Sequence, residues 1–331
     1  MNANVLQWNG GPGHYEVYYL SATDPRSGLG LWIRYTMRSP LQGAGECSLW
    51  FMAMDRDGLR FARKATYPIE SLTAEPDPFR LNLAGADLSD RGMAGAFEDV
   101  SWELLWEPSL PAAEHVHPLL RRAGIAKTLL VLAHPDLAVS GTVHFAGREL
   151  VLEGARGGQA HLWGSKHATR WAWAHANDLR SVEDEPRPGA YLDGVSVFVP
   201  RFGRELGPST PIVGRFGDDD FRSTSPLHVT RNPSAFGLTT WHFEARDGKR
   251  KVIGEVDAPR DSLVGVTYHD PDGAAAWCYN SEVASLRLNV LERDRGEASG
   301  WRLTDSLVSR GRAHFEYAQR EPVDGLPVHL T

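Results

Sequence analysis

Residues 161–178 read HLWGSKHATRWAWAHAND, which places three tryptophans and three histidines in eighteen residues. Four roles fit such a cluster: metal ligation, proton transfer by imidazole, an aromatic ligand wall, or core packing. Read as a helix, His167, Trp171 and His175 align at i, i+4 and i+8, with Ser165 as a cap. Read as strands, the partition is sharper. His161, Trp163 and Ser165 share one face. After a turn, Trp171, Trp173, His175 and Asn177 share a face, while Ala172, Ala174 and Ala176 take the other. Large and polar-tipped groups then lie on one side and methyls on the other, so the strand reading is preferred.

Zinc needs three or four convergent ligands, and no HExxH or similar spacing is present, so no metal site is expected. Pure packing would leave the His and Asn groups in need of buried partners. A ligand cavity uses the pattern directly, with tryptophan walls and a few polar tips. In such a cavity a neutral histidine moves protons near pH 7, and tryptophan faces stabilise a developing cation. Those elements suit hydration, cyclisation or double-bond migration of an olefin. His161 and His175 are the candidate proton-handling groups, with Trp163, Trp171, Trp173 and Asn177 as ligand contacts. Glu16, Asp270 and Glu282 are carboxylates that could serve as the acid. Tyr268-His269-Asp270 and the 277–282 stretch, which contains Tyr279, hold the densest polar-aromatic mixture of the second half. Tyr268 and Tyr279 are therefore further candidate contacts.

The elements that must position these groups are short strands. The 331-residue chain has 33 glycines and 21 prolines spread along its length, which punctuate short apolar runs and favour an all-β protein. Hairpins are expected at Ala146-Gly147, at Asp247-Gly248 and at the turn Asp270-Pro271-Asp272-Gly273. One short helix is expected near 112–123, ending near Gly124. The polar stretch 181–190 is the best linker, and each side of it holds enough strands for a barrel or sandwich. The triplet His-aromatic-Glu at 14–16, 242–244 and 314–316 is a faint internal echo. The formal charge of −7, without a basic block, argues against nucleic-acid or anionic-membrane partners. No run of eighteen apolar residues and no signal peptide is visible, so a cytoplasmic protein without an integral membrane segment is expected. Cys47 and Cys278 read as two buried free thiols. GxSxG, GxGxxG and Walker patterns are lacking.

The stretch 139–178, VSGTVHFAGRELVLEGARGGQAHLWGSKHATRWAWAHAND, resembles the tandem lipocalin-like family of AttH-like proteins, carotenoid 1,2-hydratase (hydroxyneurosporene synthase) and tocopherol cyclase. The shared features are a Gly-rich approach, His-x-Trp-Gly, and Trp-x-Trp followed by polar residues. The segment IGEVDAPRDSLVGVTYHDPDGAAAWCYNSEVASLRL is similar to the C-terminal barrel of such proteins. The resemblance implies two lipocalin-like β-barrels packed together, with few short helices and a hydrophobic ligand held in a barrel or near the junction. It also implies chemistry without a cofactor on isoprenoid or polyketide chains, and it points to Asp270, in Tyr268-His269-Asp270, as the acid.

The expectation is thus an N-terminal barrel over 1–180 and a C-terminal barrel over 190–331, with the boundary somewhere in 155–190. The expected partner is a hydrophobic small molecule, an isoprenoid, lipid or polyketide. The expected activity is lyase or isomerase chemistry by His161, His175 and Asp270. The alternative is a non-catalytic carrier of hydrophobic ligands.

Overall fold

Along Arg250–Asp257, buried and more exposed residues alternate without a break, the signature of a strand with one face on a core. Its hairpin partner is Thr240–Arg246. Between them Gly248 takes a φ of 103°, and the Asp247 carboxylate accepts from the backbone N–H groups of Lys249 and Arg250 at 3.0 and 2.9 Å. Such turn chemistry repeats along the chain. Ala146 and Gly147, both at positive φ, join the strands Thr128–Phe145 and Arg148–Gly164. The 270–273 turn joins Val264–His269 to Ala275–Arg293. All three expected hairpins form.

The computed structural model describes residues 2–122, 126–201 and 204–331. Strand makes up 63% of it and helix 4%, an all-β fold. The strands form a twelve-stranded and a thirteen-stranded sheet, both curled. Strands of the first sheet end at Gly164, and those of the second begin with Arg170–Ala176. The 181–190 stretch lies within the second sheet's sequence, between Arg180–Ser181 and Tyr191–Arg201. One short helix covers Pro118–Arg122, and Gly124, the expected end, lies outside the described residues. A second covers Pro226–Val229, capped by Ser225.

The two sheets share one plan. In each, the opening strand pairs with the last long one, which closes the plan: His14–Thr23 with Arg148–Gly164, and Arg170–Ala176 with Trp301–Gln319, after which only the short strand Val328–Leu330 follows. The closing strand pairs in turn with a long neighbour, Thr128–Phe145 or Ala275–Arg293. The remaining strands run outward on both sides. The three His-aromatic-Glu triplets fall on an opening, an inner and a closing strand, so they do not mark this repeat.

The curl of the first sheet is filled by a core that includes Phe51, Trp102 and Phe145, and that of the second by one that includes Phe221, Trp241 and Phe315. Both long strands carry bulges, at 132–137 and 281–286. A bulge bends its strand and re-aims its groups. Here each reaches the opposite sheet. The Pro135 carbonyl accepts from His175 Nε2 at 2.9 Å, and the Glu282 carbonyl accepts from the Thr23 hydroxyl at 2.7 Å. The junction between the sheets is therefore built twice, by reciprocal contacts. Among the described residues no helix is long and apolar enough to cross a membrane. Cys47 and Cys278 are free and buried.

Candidate active site at the junction

The partition expected for 170–177 is realised, and its two faces have different surroundings. Ala172, Ala174 and Ala176 pack into the core of the second sheet. Trp171, Trp173, His175 and Asn177 face the first sheet. The Trp173 indole donates to both Asp193 carboxylate oxygens at 3.2 Å, and Asp193 also sits 2.7 Å from His115 Nε2. Asn177 donates to Asp136, and to the Leu137 and Gly157 carbonyls of the first sheet. His175 stacks on His314, with their Nδ1 atoms 3.0 Å apart. Since His175 Nε2 must donate to Pro135, its Nδ1 accepts from His314. His314 Nε2 then faces the Thr23 hydroxyl at 3.3 Å. Burial holds both imidazoles below the ordinary histidine pKa, His314 well below. This face fastens the two halves together.

His161 is sealed as well. It is fully buried, with Nδ1 on the Ala3 carbonyl at 2.8 Å and Nε2 on Glu16 at 2.7 Å. Its ring stacks on Tyr18 and leans on Trp163. Glu16 also accepts from His14, Tyr18 and the backbone N–H groups of Gln7 and Trp8. Burial pushes the Glu16 pKa up, but the hydrogen bonds from His14 and His161, the His161 charge and the Gln7 N–H outweigh it and pull it down to about 2. This carboxylate anchors the N-terminal segment. Tyr279 lies in the core of the second sheet, its hydroxyl accepting from the Val323 N–H at 2.7 Å.

The accessible chemistry lies at the other end of the junction. Residues 165–169 cross from the last strand of the first sheet to the first strand of the second. On this crossing His167 is met by Asp270, which stands in the 270–273 turn. Asp270 Oδ1 accepts from His167 Nδ1 at 2.6 Å and from its backbone N–H at 2.8 Å. Asp270 Oδ2 lies 2.8 Å from the Arg320 guanidinium. The bond to Asp270 fixes the Nδ1–H tautomer of a neutral His167. Its Nε2 has no hydrogen-bond partner among the described residues. The ring is stacked by Tyr15 at 4.3 Å, by Trp171 at 5.5 Å and by Tyr268 at 5.7 Å. Burial lowers the His167 pKa, and the Asp270 hydrogen bond and charge oppose this without reversing it. Burial raises that of Asp270, but the His167 hydrogen bonds and charge, then Arg320, bring it below the usual carboxylate value.

His167 lines a crevice with Tyr15 of the first strand, Arg34 and Trp50 of the next two, and Tyr268 of the second sheet. The inner space of the crevice is about 30 Å³. That is room for one or two waters.

Of the residues singled out in the sequence, the structure brings Trp171, Tyr268 and Asp270 together around His167. His161 with Trp163, His175 with Trp173 and Asn177, and Tyr279 lie in separate, closed settings. Asp270 is no free acid, because both its oxygens face cationic or N–H groups. No group of three or more His, Cys, Asp or Glu is placed to hold a metal ion among the described residues. Sequence reasoning did not single out His167 as a proton-handling candidate and did not name Arg34. The signal for Arg34 was its charge amid the apolar run Leu31-Trp32-Ile33.

The fold has solved counterparts. An AttH-like protein from Nitrosomonas europaea superposes with a TM-score of 0.57 at 12% identity, covering 93% of each chain. The chain has the tandem lipocalin-like fold of the AttH-like proteins. CghA, crystallised with Sch210972, matches this chain with a TM-score of 0.57 at 10% identity, over 97% of this chain and 94% of CghA. Kievitone hydratase from Nectria haematococca matches with a TM-score of 0.50 at 9% identity, over 91% and 88%. In sequence, an uncharacterised protein of Mycobacterium tuberculosis H37Rv is 28% identical over 298 residues, covering 87% of this chain and 85% of that protein. No family model matches.

Proposed function

We propose that the protein catalyses hydration, isomerisation or cyclisation of a hydrophobic small molecule at the junction crevice, with His167 as the proton-transfer group. The observation that carries this reading is the His167–Asp270 pair, with Nδ1 held at 2.6 Å, Nε2 without a hydrogen-bond partner among the described residues, and the residue lining the crevice. A neutral imidazole in this setting takes a proton from water or from an acidic C–H or O–H of the ligand. The imidazolium formed is stabilised by Asp270, and the proton is returned at another atom of the same ligand. Such a cycle is redox-neutral and needs no cofactor. His167 is the catalytic residue, while Asp270 is a positioning residue that fixes the tautomer. Trp171, Tyr15 and Tyr268 hold the ring, and Tyr15 and Tyr268 also line the crevice. Two fold relatives support the class by name, one a hydratase of kievitone and one crystallised with the small molecule Sch210972.

The test is mass spectrometry of kievitone and a panel of olefinic hydrophobic ketones and carboxylates incubated with the protein in heavy water. Wild type is expected to add water or incorporate deuterium into at least one compound. His167→Gln and Asp270→Asn should keep ligand binding and lose turnover by roughly 10²–10⁴-fold. Turnover undiminished in both variants would reject these residues. Binding with no exchange in any compound would leave a carrier.

A further inference from the structure

We propose that the junction crevice is an anion site, and that it takes a planar conjugated carboxylate whose apolar body stays in the crevice mouth. This names the substrate class for the site proposed above. It rests on that reading only for catalysis, since the binding claim has residues of its own.

Arg34 carries the argument. It is 5% exposed, yet among the described residues no carboxylate lies within ion-pair distance of it. Its Nε donates to the Thr36 hydroxyl at 3.0 Å, and neither terminal nitrogen has a hydrogen-bond partner among the described residues. A buried guanidinium is costly unless paired. Here aromatic faces hold it instead: Tyr268 at 4.1 Å, Trp32 at 5.4 Å and Trp50 at 5.7 Å from the guanidinium carbon. Cation–π contacts fix the position of the charge but leave its in-plane N–H donors unused. Those donors form a planar fork that matches a carboxylate.

The rest of the lining agrees. The Trp50 indole N–H is buried without a partner and belongs to the same crevice. Arg38 and Lys64 add two cations, and the carboxylate among the lining residues, Glu46, is engaged by Arg38 at 2.9 Å. Lys64 sits over the Trp50 ring at 4.3 Å and also donates to the Thr331 carbonyl. Three cations face one carboxylate here, in a chain whose formal charge is −7. A locally positive, partly desolvated slot attracts anions out of proportion to the net charge. Its narrow inner space suits a head of a few atoms. His167 lines the same slot, and Arg34 would stabilise the enolate that forms when a proton moves on the bound conjugated carboxylate.

The test is calorimetric titration of the intact protein with trans-cinnamate and with its neutral isostere, cinnamamide, at low and high salt. Cinnamate should bind about tenfold more tightly than the amide at low salt, with the gap narrowing at high salt. Arg34→Gln should abolish the preference, while His167→Gln should retain it. A preference retained in His167→Gln alongside absent turnover in wild type would reject the acid–base reading and keep this one. Equal binding of the two probes by wild type, no binding of either, or a preference that survives Arg34→Gln would overturn the anion site. Should Arg34→Gln fail to fold by circular dichroism, the wild-type comparison of the two probes decides alone.

Discussion

At His167 the chemistry depends on one proton and where it sits. The proposed catalytic form is neutral, and burial keeps the pKa below the ordinary 6.5 although Asp270 pulls it the other way. Turnover should therefore rise with pH through a midpoint below 6.5 and stay flat above it. Asp270→Asn removes the group that raises the His167 pKa, so the midpoint should move lower while the plateau falls. A pH–rate profile with its midpoint at or above 6.5 would contradict the assignment. Glu16 is a carboxylate of the opposite kind, structural and ionised, with a pKa near 2 against an ordinary 4.5. Its folded pKa is depressed, so its stabilisation is complete above pH 4.5 and is lost as pH falls from there toward 2. The shift corresponds to about 3 kcal/mol at neutral pH. Glu16→Gln should lower stability by a loss of this order at pH 7, measured by urea unfolding, and by much less near pH 2. These roles were illegible in sequence for a simple reason. His167 and Asp270 are separated by 103 positions, and no local pattern links a residue on a crossing to one in a distant turn.

At the scale of the element, period-two alternation was enough to read Arg170–Ala176 as a strand with a methyl face and an aromatic face. Alternation does not say what covers each face. The aromatic face meets the other sheet rather than a ligand, because bulges in the two long strands bring backbone carbonyls to its polar tips. If Trp173 fastens the halves, Trp173→Ala should cost roughly 3–5 kcal/mol by cavity formation, without changing which ligands bind. Equilibrium unfolding and ligand titration of this variant check both halves of that statement. The 281–286 bulge has a further consequence. It carries Glu282, fully buried with neither carboxylate oxygen hydrogen-bonded among the described residues. Burial, then the Glu316 charge, outweigh Ser21 and raise its pKa well above the ordinary value. The unfolded chain ionises this group above about pH 4.5 and the folded chain does not, so its cost grows as pH rises. Glu282→Gln should thus raise the urea midpoint at pH 7–8 and leave it nearly unchanged at pH 4. Equal effects at both pH values would show that the carboxyl is ionised in the fold.

Across the whole molecule, two curled sheets of one strand plan are locked by reciprocal contacts, and the accessible chemistry lies where the chain crosses from one to the other. Composition and turn residues made the all-β class legible, and the hairpins at 146–147, 247–248 and 270–273 lie where their turn chemistry puts them. The junction was not legible, since it is made of contacts between residues such as Thr23 and Glu282 that lie 259 positions apart. With the junction closed by buried hydrogen bonds, the protein should unfold in a single calorimetric transition, and two resolved transitions would show that the halves are independent. The central claim is that His167 is a neutral, Asp270-oriented base open to the crevice, and nitrogen-15 NMR of its ring measures this directly. At pH 7 the spectrum should show a proton on Nδ1 and none on Nε2, with the Nε2 resonance moving when cinnamate is added. A charged ring, a proton on Nε2, or an Nε2 signal indifferent to every ligand that binds would contradict it.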